Sequence, residues 1–195
     1  MNSLCDALPY SVEVDGQEYR LTPAFDNVLQ MYAQLDDEDL TDAERMELML
    51  YYLTDNGPQD ARVLTAACEA LFPTERKPKA AAKKAFDFVQ DADLIYAGFM
   101  QAYGLDLIDQ QGKLHWLKFL ALLQGLPSNT RFREVVEIRL RPLPAPTKYN
   151  AEERAQLLRA KQSVALAVSA SEREHNLQEG LRNMALVLMQ RAKKE

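Results

Sequence analysis

Apolar and polar positions alternate at the start of the chain. Tyr10, Val12 and Val14 are separated by Ser11 and Glu13, and after Asp15-Gly16 the alternation resumes with Tyr19 and Leu21 against Glu18 and Arg20. A period of two on both sides of an Asp-Gly pair predicts a β-hairpin with a two-residue turn. A lone hairpin is marginally stable in water, so its apolar face is expected to pack on helices, or its edge to pair with another chain. From Thr22 onward the period lengthens to that of a helix. Thr22-Pro23 predicts a helix entry, threonine capping free amides and proline taking the first turn, with Phe25, Val28, Leu29 and Tyr32 on the buried face. The acidic run at 36–39 closes this helix. It reads as a solvated loop, because it lacks the glycine and distal glutamate of a calcium loop. Thr41 and Glu44 form a capping box for a helix that points Met46, Met49, Leu50 and Leu53 one way. Asn56-Gly57-Pro58 breaks the chain, and Val63, Leu64, Ala67 and Leu71 predict a further amphipathic helix ending at Phe72-Pro73.

The densest agreement of signals lies at 86–139. Ala92, Ile95, Tyr96, Phe99 and Tyr103 recur at steps of three and four, which predicts a helix from about Phe88 that Gly104 ends in a left-handed turn. Asp87, Asp91 and Asp93 at its start suit the positive pole of a helix, and a cap or dipole role accounts for Asp91. Leu114, Trp116, Leu117, Phe119, Leu120, Leu122 and Leu123 then crowd a helix closed by Gly125 and Pro127. Apolar residues on nearly every side predict that this helix is central. Ser128-Asn129-Thr130 offers a cap for a third helix carrying Phe132, Val135, Val136 and Ile138, which Pro142 and Pro144 stop.

An ordered set of these residues carries a family resemblance. Phe86-Asp87-Phe88, Asp91-Ala92, Ile95-Tyr96, Phe99, Tyr103-Gly104-Leu105-Asp106-Leu107, Leu114-His115-Trp116, Lys118-Phe119, Leu122-Leu123, Gly125-Leu126, Thr130, Phe132 and Ile138-Arg139 together resemble the phage "gene product fifteen" family. The likeness is strongest over 86–139 and extends more weakly from Leu8 to about Leu166. It implies a protein of long-tailed phages and prophages that acts in tail assembly, similar to the tail-assembly chaperones; a tape-measure or tail-tube protein, apolar and in need of cover before the tail forms, is the expected partner.

Composition narrows the remaining classes. The chain has 195 residues, enough to bury a sizeable core, and its 47% hydrophobic and 27% charged residues argue against global disorder. A formal net charge of -6 disfavours a surface that grips phosphate backbones throughout. The basic cluster Arg76, Lys77, Lys79, Lys83 and Lys84 could still contact nucleic acid. It carries no interleaved aromatic residue and is interrupted by Pro78, so a solvated linker is the preferred reading. Cys5 and Cys68 are too few for a disulfide framework. No apolar run reaches the ~18 to 20 residues of a membrane span, and the first residues do not read as a signal peptide, so the protein is expected to stay soluble in the cytoplasm of the host bacterium.

Past the core, Leu143-Pro144-Ala145-Pro146 reads as a stiff connector. Asn150 and Glu153 form another capping box, opening a helix with Leu157, Leu158, Lys161, Val164 and Ala165. Ser171 and Glu174 repeat that pattern ahead of a stripe of Leu177, Leu181, Met184, Ala185 and Leu188, which needs a partner, its own core or another chain. The expected architecture is a mostly α helical bundle with a small N-terminal β-hairpin and a C-terminal helical appendage, α+β by strict count. Residues 1–141 would form the hairpin and core, and 142–195 the connector and terminal helices.

Catalytic chemistry has little support. Only His115 and His175 could serve as bases, and His115, beside Trp116 on an apolar helix, reads as a hydrogen-bonded core residue. Two histidines and two cysteines at these spacings draw no zinc pattern. Asp91, Asp93, Asp106 and Asp109 could converge on a cation, but helix starts and turns explain them more simply. Neither metal nor cofactor is expected. What remains is adhesion to other polypeptides, with a structural virion subunit as the alternative and a nucleic-acid-binding regulator as a weaker one.

Overall fold

The computed structural model of the chain describes residues 5–37, 39–55, 60–72 and 85–167. The basic cluster from Arg76 to Lys84, the Asn56-Gly57-Pro58 break and the apolar stripe beyond residue 168 lie outside them. The hairpin forms as the alternation predicts. Strand β1, Ser11–Val14, pairs antiparallel with β2, Gln17–Arg20, and Val12 stands opposite Tyr19. Asp15 and Gly16 both take positive φ, 53° and 78°, the twist that lets a two-residue turn match the strands it joins.

Seven helices follow among the described residues: α1 Phe25–Leu35, α2 Asp42–Leu53, α3 Ala61–Leu71, α4 Ala92–Tyr103, α5 Trp116–Gln124, α6 Arg131–Leu140 and α7 Ala151–Ser163. The chain is mostly α with a small hairpin. The hairpin lies on α3, and Arg62 at the start of α3 pairs with Asp15 and Asp60. The Thr41–Glu44 capping box forms in both directions, Thr130 caps α6, and Gly104 ends α4 at φ 61°.

Helix α5 is central. Trp116, Leu117, Phe119 and Leu123 are buried on it. Phe119 stacks on Phe25 at 5.0 Å, on Phe99 at 5.2 Å and on Trp116 at 5.5 Å between ring centroids. Such offset stacks add roughly 0.5–1.5 kcal/mol each beyond the area they remove from water. Tyr96 packs at the edge of this cluster, with its hydroxyl 3.2 Å from Asp106 Oδ2. At Gly98 the backbone of α4 passes so near Leu126 that an added Cβ would sit 3.2 Å from its Cδ1.

Four local expectations need correction. Thr22-Pro23 does not cap α1. The helix begins at Phe25 with no side-chain cap, because residues 21–24 run as an extended segment bonded on both sides. Thr22 donates its amide to the Leu53 carbonyl at 3.0 Å and its hydroxyl to the Tyr52 carbonyl at 2.6 Å, while the Pro23 carbonyl accepts from the Trp116 amide at 2.7 Å. Helix α4 begins at Ala92 rather than near Phe88, since the Asp87 carboxylate accepts from the Val89 and Gln90 amides and folds a tight turn first. Asp91 occupies the cap position of α4 without capping it, its side chain being committed elsewhere. Asn150 likewise makes no cap bond to α7; its carboxamide accepts from the Thr147 amide and donates to the Ala145 carbonyl.

Candidate protein-docking site

The residues carrying the family resemblance fall into two groups. Ile95, Phe99, Trp116, Phe119 and Phe132 are buried in the core, and Phe86 packs edge-on to Phe132 at 5.5 Å. Gly104 and Gly125 terminate helices, and Tyr103 lies near Gly125, its hydroxyl donating to the Leu122 carbonyl at 2.9 Å. Asp106 accepts from the Ile108 amide and so closes a turn. His115 is buried and its ring does two jobs. Nδ1 accepts the Leu117 amide at 3.1 Å, capping α5, and Nε2–H donates to the Pro9 carbonyl at 3.0 Å, which fixes the neutral tautomer. Burial pushes its pKa below the ordinary imidazole value; the Pro9 bond pulls the other way, and Lys118 adds a small push down.

The second group holds one turn in place. Asp91 is 3% exposed and receives both terminal nitrogens of Arg139, at 2.6 and 2.9 Å. The same carboxylate accepts the Asp87 amide at 3.0 Å. Arg139 further donates to the carbonyls of Ala85 and Val164, and Lys161 donates to the Arg139 carbonyl. A fork of five donors can satisfy this many oxygens at once, where a lysine could not. Gln90 then clasps the backbone of Ala167, donating to its carbonyl and accepting from its amide. The turn at 86–91 is thereby tied to α6 and to the chain following α7.

That turn forms one wall of a cleft of ≈ 340 Å³. Phe86, Asp87, Phe88 and Val89 face Tyr32 and Ala33 of α1, and Asp36 just past its end, across it. Tyr32 is 40% exposed and Val89 63%. The apolar lining continues inward, because Tyr32 stacks on Phe88 at 5.9 Å, and both lie against Trp116, at 6.1 and 5.7 Å. Burial of its ring raises the Tyr32 phenol, and nearby Cys68 raises it further, so it is neutral at physiological pH. Asp36 and Asp87 put carboxylates at the edge.

From the sequence, Tyr32 reads as a core residue and Asp36 as the start of a solvated acidic loop, and Ala33 and Val89 carry no signal at all. The pattern Phe86-x-Phe88 around a turn-forming Asp87 is the one available clue: two rings two residues apart beside a turn cannot both be covered by their own segment. Cys68 is half-buried, and burial raises its thiol pKa. Among the described residues no group of three His, Cys, Asp or Glu side chains is placed to hold a metal ion. No described helix is long and apolar enough to cross a membrane.

By fold and surface this is a mostly α protein with a small hairpin and an aromatic cleft open to solvent. It matches the Bacteriophage Gp15 protein family over residues 4–166, and the chain belongs to that family. Among curated proteins and among solved structures, no match was found.

Proposed function

We propose that this phage protein is a non-enzymatic assembly factor that holds an apolar helical stretch of a tape-measure or tail-tube protein until the tail polymerises around it. The observation that carries this reading is the Tyr32–Phe88 cleft, an aromatic surface continuous with the core yet left facing water. A groove of that kind suits the apolar face of an amphipathic helix, aromatic side chains giving large contact area at low entropic cost. Membership of the phage family supports the setting. A partner that covers the cleft would be released by mass action once subunits with higher affinity for it accumulate.

Co-expression with the tape-measure protein of the same phage tests this. The expected result is co-purification and a larger soluble fraction of the tape-measure protein, both lost with Val89→Asp and Ala33→Glu, two exposed positions whose change is expected to leave thermal unfolding within about a degree or two of the unaltered protein. Failure of the unaltered protein to do either would remove the chaperone role; unchanged capture by the double variant would place docking elsewhere. A second reading is favoured by one feature of the hairpin: among the described residues the sheet has two strands, and a two-stranded sheet offers an edge at which a strand of a neighbouring subunit could pair. Mass spectrometry of purified virions separates the readings, stoichiometric presence supporting a retained structural subunit and absence a transient factor.

A further inference from the structure

We infer that a polypeptide held in the Tyr32–Phe88 cleft hydrogen-bonds to Trp116, supplying a neutral acceptor, a main-chain carbonyl or a side-chain carboxamide, beside its apolar contact. The observation behind this is an indole N–H left without an acceptor. Trp116 is 2% exposed, and its Nε1 is buried with no hydrogen-bond partner among the described residues. The buried polar side chains elsewhere in the described core are all served. Thr54 donates to the Leu50 carbonyl and Thr130 to the Pro127 carbonyl, His115 uses both ring nitrogens, and Asp91 takes Arg139. An N–H desolvated without an acceptor costs about 1–3 kcal/mol, and native interiors leave few such groups.

The surroundings of the indole point to the side from which an acceptor comes. Among the described residues four rings pack on it, Tyr32, Phe72, Phe88 and Phe119. Only Tyr32 carries an acceptor, and the N–H is not paired with it. Tyr32 and Phe88 also line the cleft, at 6.1 and 5.7 Å from the indole, and Tyr32 is 40% exposed. Docking that parts this pair brings the visitor's polar atoms to Nε1 along the same path as its apolar side chain. Charge selects the kind of acceptor. The charged residues lining the cleft, Asp36 and Asp87, are both acids, so a carboxylate entering there is repelled and a neutral carbonyl is not. The inference rests on the docking function proposed above and adds what the client must present.

The test uses the full chain with its one tryptophan isotope-labelled at the indole nitrogen, its valine methyl groups labelled as well, and three probes of one shape. Benzylacetone carries a neutral carbonyl, butylbenzene has no acceptor, and hydrocinnamate is anionic. Benzylacetone is expected to move the indole proton downfield, to shift the Val89 methyl signals, and to bind several-fold tighter than either of the others. Trp116→Phe should abolish its advantage over butylbenzene. An indole proton that benzylacetone leaves unmoved up to its solubility limit would overturn the inference, as would equal affinity for ketone and hydrocarbon. Movement of the indole without Val89 would overturn it too, because the acceptor then arrives by a path other than the cleft. If Trp116→Phe does not fold, the indole shift in the unaltered protein decides. The client is read separately, in the complex co-purified with tape-measure protein. A downfield indole there supports the inference, and an unmoved one overturns it while leaving docking intact. Failure to form the complex, with benzylacetone still bound through Trp116, removes the proposed function and leaves the indole as an acceptor-binding group.

Discussion

Arg139 and Asp91 join three parts of the chain, the 86–91 turn, α6 and the end of α7, through a pair whose side chains are 11% and 4% exposed. A charge left alone there has no water to turn to, so Arg139→Ala or Asp91→Ala is expected to destabilise by about 3–5 kcal/mol in urea unfolding. Asp91→Leu combined with Arg139→Met should recover much of that loss, since exchanging a buried pair for apolar groups is commonly near neutral. His115 gives a pH prediction at the same scale. Its folded pKa is below the ordinary value of about 6.5. Between the two values the unfolded chain binds more protons, so stability rises with pH. The contribution is therefore present above ~6.5 and is lost as pH falls through the folded value. His115→Asn, which can still cap α5 but does not titrate, should flatten this limb in unfolding measured from pH 7 to 5, at a cost of about 1 kcal/mol for the lost Pro9 bond. Glu44, lowered chiefly by its bonds to Thr41, has the same sign at more acid pH.

Helix ends carry the predictions at the next scale. Gly104 sits at φ 61° with open space around it, so Gly104→Ala strains backbone alone and is expected to cost about 1 kcal/mol. Thr41→Ala, which removes the hydroxyl half of the capping box and leaves the residue 41 amide donating to Glu44, should cost a similar ~1 kcal/mol. Thermal unfolding checks both. For the hairpin, Gly16→Val at φ 78° opposes the turn that sets the strand register. If β1 pairs across subunits, sedimentation velocity of this variant will show self-association weakened relative to the unaltered protein; unchanged association would exclude the edge as contact. Element starts were the least legible feature of the sequence. Thr22 and Asn150 have capping chemistry, but each is a short side chain whose bonds go to whichever backbone group tertiary packing brings nearest, and here those were Tyr52 and the 145–147 connector.

For the molecule as a whole, the hairpin, the identity of the helices, the Thr41–Glu44 box and the centrality of α5 could all be read from residue order. Each depends on neighbours within a few positions, and a periodic pattern reports on those directly. The cleft could not. Tyr32 and Phe88 are 56 residues apart (88 minus 32), and apolar residues spaced to be buried look the same whether packing covers them or stops short. Arg139 illustrates the same limit, since its place in the family pattern gives it no partner until packing brings Asp91 opposite it.

The amino-acid sequence by itself determined what each segment would become and which side chains would seek a dry interior, because local spacing and backbone preference act within one or two turns. Only the tertiary structure decided that Asp91 would be an ion-pair partner rather than a cap, and that the rings beside the 86–89 turn would stay open to water, because both depend on which distant groups the packing of α1, α4, α5 and α6 sets side by side.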